Sequence, residues 1–129
     1  MRQSKDGNIT EKKDFEVFKR ECNKWIDKFG LWNHRFYFQH ENIDANAIAY
    51  CIFPDDPQDR VFTLGLMVSV DSYPKLTLKD IRRSAFHEVM EAFLYRIQNL
   101  ASCRFVLACE IEDEIHNIIR ILENTIFEK

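Results

Sequence analysis

From Trp32 to His40 and again from Arg60 to Val70 the apolar residues of this chain alternate, and on either side of the stretch 31–70 they recur every three or four residues. A period that switches from 3.6 to 2 and back restricts the fold: helices from both ends of the chain must cover a sheet made from its middle. Phe15, Phe18, Cys22, Trp25, Ile26 and Phe29 define a first helix, with Asp14 placed to cap its start and Gly30 to close its end. Leu31 to His40 reads as an aromatic strand, with Trp32, Phe36 and Phe38 on one face and Asn33, Arg35 and Gln39 on the other. Glu41 to Asn46 supplies turn chemistry, and Ala47 to Phe53 reads as a second strand. Pro54 to Asp59 is a turn, and Arg60 to Val70 a third strand with Phe62, Leu64, Leu66, Val68 and Val70 on one face. The short links predict an antiparallel meander with one face against helices.

Asp71-Ser72-Tyr73-Pro74 ends the sheet, and Thr77 with Asp80 three residues on forms a capping box that opens a helix running to about Leu100. Residues 101–109 fit a short strand, a loop or a helix extension. Glu110 to Phe127 reads as a final helix with Ile111, Ile115, Ile118, Leu122 and Ile126 as its stripe. Residues 1–13, polar and mixed in charge, read as a flexible tail, which leaves 14–129 as a single domain. The expected fold class is therefore α+β: N-terminal helix, three-stranded and largely antiparallel sheet, long helix, C-terminal helix.

With 129 residues, 46% of them apolar, one domain can bury a substantial core. A formal charge of −3 offers no electrostatic case for nucleic acid, which favours basic surfaces. No apolar run approaches the roughly 18 residues of a membrane span, and the first residues lack the apolar core of a signal peptide, so a cytoplasmic location is expected. Cys22, Cys51, Cys103 and Cys109 show no Cys-x-x-Cys spacing and read as reduced, buried small hydrophobes rather than zinc ligands.

The residues with the most chemistry lie in Ser84-Ala85-Phe86-His87-Glu88-Val89-Met90-Glu91-Ala92-Phe93-Leu94. In His-Glu-x-x-His, two imidazoles one helical turn apart grip Zn²⁺ and the Glu activates a water. Here His87 and Glu88 stand in place and Glu91 occupies the second ligand position. Positions 87 and 91 share a helix face, a carboxylate binds zinc at about the distance an imidazole does, and Glu88 is turned about 100° away, where a general base belongs. Glu112 and His116, again four apart on the final helix, are candidates for a third ligand, with Glu123 further along the same side. The plainer reading is a solvated helix face grouping Arg83, Glu91 and Arg96, and an exposed acid–imidazole pair at 112 and 116. His34 and His40, six apart, are read as structural or surface residues.

The chain as a whole resembles small zincin-like metallopeptidases encoded by phages and prophages, over roughly residues 15–128. The resemblance is carried by the helix leading into the aromatic strand Trp32 to Gln39, the strand pair ending at Met67 to Val70, the block Arg83 to Val89, and Glu114-Ile115-His116-Asn117-Ile118-Ile119-Arg120-Ile121-Leu122-Glu123-Asn124. It implies a minimal zincin core, a mixed or antiparallel sheet over the motif helix, with His87 as a zinc ligand and Glu88 as general base. Glu91, where many zincins hold a second His, departs from the pattern; His116 or Glu112 would then complete a rearranged site.

Three functions follow as expectations. The first is a zinc-dependent peptidase or amide hydrolase, with a peptide pairing along the third strand as an edge. The second is a non-catalytic binding protein on a zincin scaffold, contacting a protein partner through Trp32, Phe36, Tyr37 and Phe38. The third is a di-metal carboxylate site built from Glu88, Glu91, Glu112 and His116, which the three strands argue against.

Overall fold

The computed structural model describes residues 2–4, 7–56, 58–71, 75–103 and 105–127, the first three and Gly7 by their backbone alone. The turns expected at Pro54 to Asp59 and Asp71 to Pro74 thus fall partly outside the described residues. In chain order the elements are β1 (Arg2–Ser4), β2 (Gly7–Ile9), α1 (Lys12–Lys28), β3 (Arg35–His40), β4 (Ala49–Ile52), β5 (Val61–Leu66), β6 (Ser69–Val70), α2 (Leu78–Ser102) and α3 (Ala108–Phe127). The α+β class stands: among the described residues three helices accompany two small sheets.

The main sheet differs from the expected meander. Its order is β3-β5-β4, with β3 parallel and β4 antiparallel to β5. The third strand is therefore central rather than an edge. β5 buries Phe62, Leu64, Gly65 and Leu66, which takes in both of its faces, and a strand buried on both faces belongs in the interior of a sheet. A parallel β3–β5 pair needs a crossover, and the chain supplies it by passing through β4 at the far edge. Gly65 has a packing role. It lies opposite Tyr50, whose ring crosses the space a Cβ would fill, and the Tyr50 hydroxyl accepts from Gln39 Nε2 at 2.7 Å and donates to the Glu41 carbonyl at 2.9 Å.

The expected strand 60–70 divides at Met67. Ser69–Val70 leaves the main sheet as β6 and pairs antiparallel with β2, which in turn pairs with β1. Within 1–13, expected to form a flexible tail, residues 7–9 thus form a strand and α1 begins at Lys12. Asn8 and Thr10 are buried: Asn8 Oδ1 accepts from Leu76 N at 3.0 Å, and the Thr10 hydroxyl donates to the Met67 carbonyl at 2.7 Å. A polar segment hides its role in composition because it is held by hydrogen bonds instead of apolar burial.

α1 begins one turn earlier than expected, at Lys12. Asp14 is the third helical residue, and its carboxylate accepts from Glu11 N at 2.7 Å. Gly30, at φ 62°, ends the helix as expected. α2 opens on the expected box, with Thr77 Oγ1 accepting from Asp80 N and Asp80 Oδ2 from Thr77 N. Ile81, Ala85, Val89 and Phe93 of α2 are buried with Phe18 and Cys22 of α1 and Leu64 and Leu66 of β5. Each large side chain so buried contributes about 1.5–3 kcal/mol. The ambiguous stretch 101–109 resolves as the last residues of α2, a break after Ser102 and the start of α3.

α3 meets the body through Ile118 and Ile121, an ion pair of Glu114 with Arg60 at 3.8 Å and a hydrogen bond from Thr125 Oγ1 to the Lys28 carbonyl. Of the expected stripe, Ile115, Leu122 and Ile126 remain exposed. Cys22 is buried and Cys51 half-buried, whereas Cys103 and Cys109 are exposed, which corrects the reading of all four as core residues.

Because Tyr50 occupies the space beside Gly65, Gly65→Ala should destabilise the protein by about 1–3 kcal/mol, the usual cost of overpacking. The midpoint of urea unfolding reads this directly, and an unchanged midpoint would show that Tyr50 moves aside freely.

Candidate functional site

The N-terminal half of α2 presents three faces. Residues 81, 85, 88, 89 and 92 point into the core, 80, 84, 87 and 91 form a polar stripe toward β4, and 79, 82, 83 and 86 turn toward α1. Between the polar stripe and the start of β4 lies an open cleft of about 390 Å³, lined by Asn46, Ala47, Ile48 and Ala49 on one side and Asp80, Arg83, Ser84, His87 and Glu88 on the other.

β4 has β5 as its only sheet neighbour among the described residues, and its first residue, Ala49, lines this cleft. The Ile48 carbonyl accepts from Met67 N at 3.0 Å, which makes that pair hydrogen-bonded in the ladder. Hydrogen-bonded pairs alternate in an antiparallel ladder, so the peptide groups of Ala49 and Cys51 face outward, available to another strand.

His87 and Glu91 meet as their spacing predicts, with Nε2 and Oε1 3.2 Å apart, and both side chains reach solvent. Glu88 is different. It is only 9% exposed, among core residues of α2 and the sheet, yet lines the cleft. Burial pushes its carboxyl up to about 7, opposed by His87 and reinforced by the charge of Glu91. The carboxyl thus exchanges its proton near neutrality, as a general acid or base must. Burial also raises the thiols of Cys22 and Cys51, with Glu88 adding to both, so neither is a nucleophile at neutral pH.

A zinc ion with ligand bonds near 2.1 Å sets neighbouring donors about 3.4 Å apart, close to the His87–Glu91 separation. A catalytic zinc takes three protein ligands, however, and among the described residues no group of three or more His, Cys, Asp or Glu side chains is placed to hold an ion. Glu112 and His116 are exposed on α3 and take no part in lining the cleft. The residues present therefore fit two corners of a zinc site and not the third. The same observation removes the helical di-metal arrangement.

The other two histidines serve the core. His34 stacks between Phe36 and Phe62 at 6.0 and 5.8 Å, and burial, with help from Arg60, pulls it down to about 4. His40 stacks on Phe15 at 5.1 Å and shares a 2.7 Å hydrogen bond with Thr10. Among the expected interface aromatics, Phe36 and Phe38 pack on the core, while Trp32, 83% exposed in the turn before β3, and Tyr37 face solvent. The outward peptide groups of β4 escaped sequence reasoning, because strand order decides which strand is an edge.

A carboxyl whose folded value lies above its ordinary 4.5 binds its proton more tightly in the folded state. The resulting stability is fully present below about pH 4.5 and is lost as pH rises through about 7. Glu88→Gln should abolish this fall, leaving unfolding free energy between pH 4.5 and 7.5 flatter than in the parent; parallel denaturation curves for the two proteins would refute the assignment.

No family model matches the chain, and neither the curated proteins nor the solved structures include a significant match to it.

Proposed function

We propose that this protein binds an extended peptide segment in the cleft between β4 and α2, on a zincin-like plan. The observation that carries the reading is the edge of β4, unpaired at Ala49 and Cys51 among the described residues, with Ala49 lining a cleft whose opposite wall includes His87 and Glu88. Backbone pairing supplies affinity for any extended chain, and the cleft supplies selection among side chains. Ser84, His87 and Asp80 give that wall donors and acceptors, while Ala47 and Ala49 keep the strand side small enough for a neighbouring backbone to approach.

A second reading is zinc-dependent hydrolysis of the bound peptide, the activity that the resemblance to phage metallopeptidases implies. The spacing of His87 and Glu91 beside a carboxyl that titrates near 7 favours it. It requires a third protein ligand at the pair, and the described residues bring none there.

Two measurements separate the readings. A fluorescein-labelled extended peptide should bind the full chain, and methylating alternate amide nitrogens should weaken it at least about tenfold, since each net hydrogen bond contributes about 0.5–1.5 kcal/mol. An unweakened N-methylated peptide would remove strand pairing as the mode. Protein purified without chelators should carry far less than one zinc per chain, unchanged by His87→Ala. Stoichiometric zinc that is lost in His87→Ala, with cleavage of the peptide lost in Glu88→Gln, would instead establish the hydrolase.

A further inference from the structure

Across α2 from the peptide cleft lies a second, larger hollow of about 550 Å³, between α1 and the first turns of α2. Its floor is aromatic: the rings of Trp25 and Phe86 meet edge to face at 4.8 Å. Its rim is cationic, carrying Lys79, Arg82 and Arg83 from one face of α2. All three are exposed, and none is within ion-pair distance of an acid among the described residues. Asp80 lies near enough to Arg83 and Lys79 for both charges to help hold its carboxyl low, but its hydrogen bonds go to Thr77. Glu21, the acid in the hollow, already accepts from Lys24 Nζ at 3.0 Å and Trp25 Nε1 at 2.9 Å.

Arg83 and His87 line this hollow as well as the cleft beside β4, so the two depressions adjoin over the crest of α2. We infer that the hollow is a specificity subsite for the same peptide, taking an apolar or aromatic side chain on the Trp25–Phe86 floor with flanking acidic residues against Lys79, Arg82 and Arg83. The inference rests on the peptide-binding reading and adds the substrate class: an acidic peptide with an apolar anchor.

The chemistry follows from the rim and the floor together. In a protein of formal charge −3, three cations gathered on one face form a local field opposite to the average and select an anionic partner. Arg82 and Arg83 present planar forks that pair with carboxylates through two hydrogen bonds. The aromatic floor gives a buried side chain the apolar contact that anchors interfaces. Nucleic acid would also meet the cations, but the outward groups at Ala49 and Cys51 include carbonyls as well as N–H donors, and a polypeptide backbone pairs with both whereas a phosphodiester chain offers no donor to the carbonyls.

The test uses the full chain and three fluorescein-labelled peptides that share an alternating Val-Thr segment and end in Phe-Asp-Asp, Phe-Asn-Asn or Phe-Lys-Lys, read by anisotropy. The Asp peptide should bind about tenfold more tightly than the Asn peptide, and the Lys peptide most weakly. In Lys79→Glu/Arg82→Glu the preference for the Asp peptide over the Asn peptide should vanish or invert. Both residues are exposed, and the milder Arg82→Gln should shift the preference in the same direction by less. Equal affinities for the three peptides, or a preference that survives the double substitution, would overturn the acidic subsite and leave peptide binding at β4 standing. Failure of all three peptides to bind would overturn the reading on which the subsite rests. A labelled single-stranded oligonucleotide binding more tightly than the Asp peptide would overturn the choice of occupant.

Discussion

Burial of one stripe of α2 orders everything else in this molecule. Ile81, Ala85, Val89 and Phe93 are held in the core by α1 and the central strand, with Ala85 small enough for its carbonyl to approach the Cys22 thiol at 3.8 Å. A helix pinned along one face has no rotational freedom left, so the directions of all its other side chains follow. Asp80, Ser84, His87 and Glu91 must face β4, and Lys79, Arg82, Arg83 and Phe86 must face the groove beside α1. Glu88, one residue beyond His87, is drawn to the edge of the core and carries the strongest electrostatic consequence of that packing.

The sheet completes the site by its order rather than by its composition. With β5 in the middle, β4 becomes an edge, and that edge stands opposite the polar stripe of α2. A strand with one edge unpaired among the described residues, a cleft and a helix bearing an ionisable carboxyl are the features on which the peptide-binding proposal rests. α3 docks through Ile118, Ile121 and Glu114, which leaves Glu112 and His116 exposed to solvent and outside the lining of the cleft.

Much of the local structure was legible in the residues. The helical stripe of α1, the Thr77–Asp80 box and the positive-φ Gly30 all express interactions within about four residues, which sequence spacing encodes directly. The contact of His87 with Glu91 belongs to the same class. The misread parts are those set at long range. Asn8 and Thr10 looked like tail residues because their partners, Leu76 and Met67, lie more than fifty positions away. Trp32 looked like part of a strand face, but the turn before β3 swings it into solvent.

The sequence by itself therefore determined the three helices and the segments of β3, β4 and β5, where α2 begins, and that His87 and Glu91 share a face, since these depend on backbone period and capping. Only the tertiary structure decided that β3 and β5 run parallel, that β4 is an edge strand, that Glu88 sits in an environment that raises its pKa to about 7, and that no group of three candidate ligands converges among the described residues. The physical reason is that strand order, desolvation and ligand convergence are properties of groups brought together from distant parts of the chain.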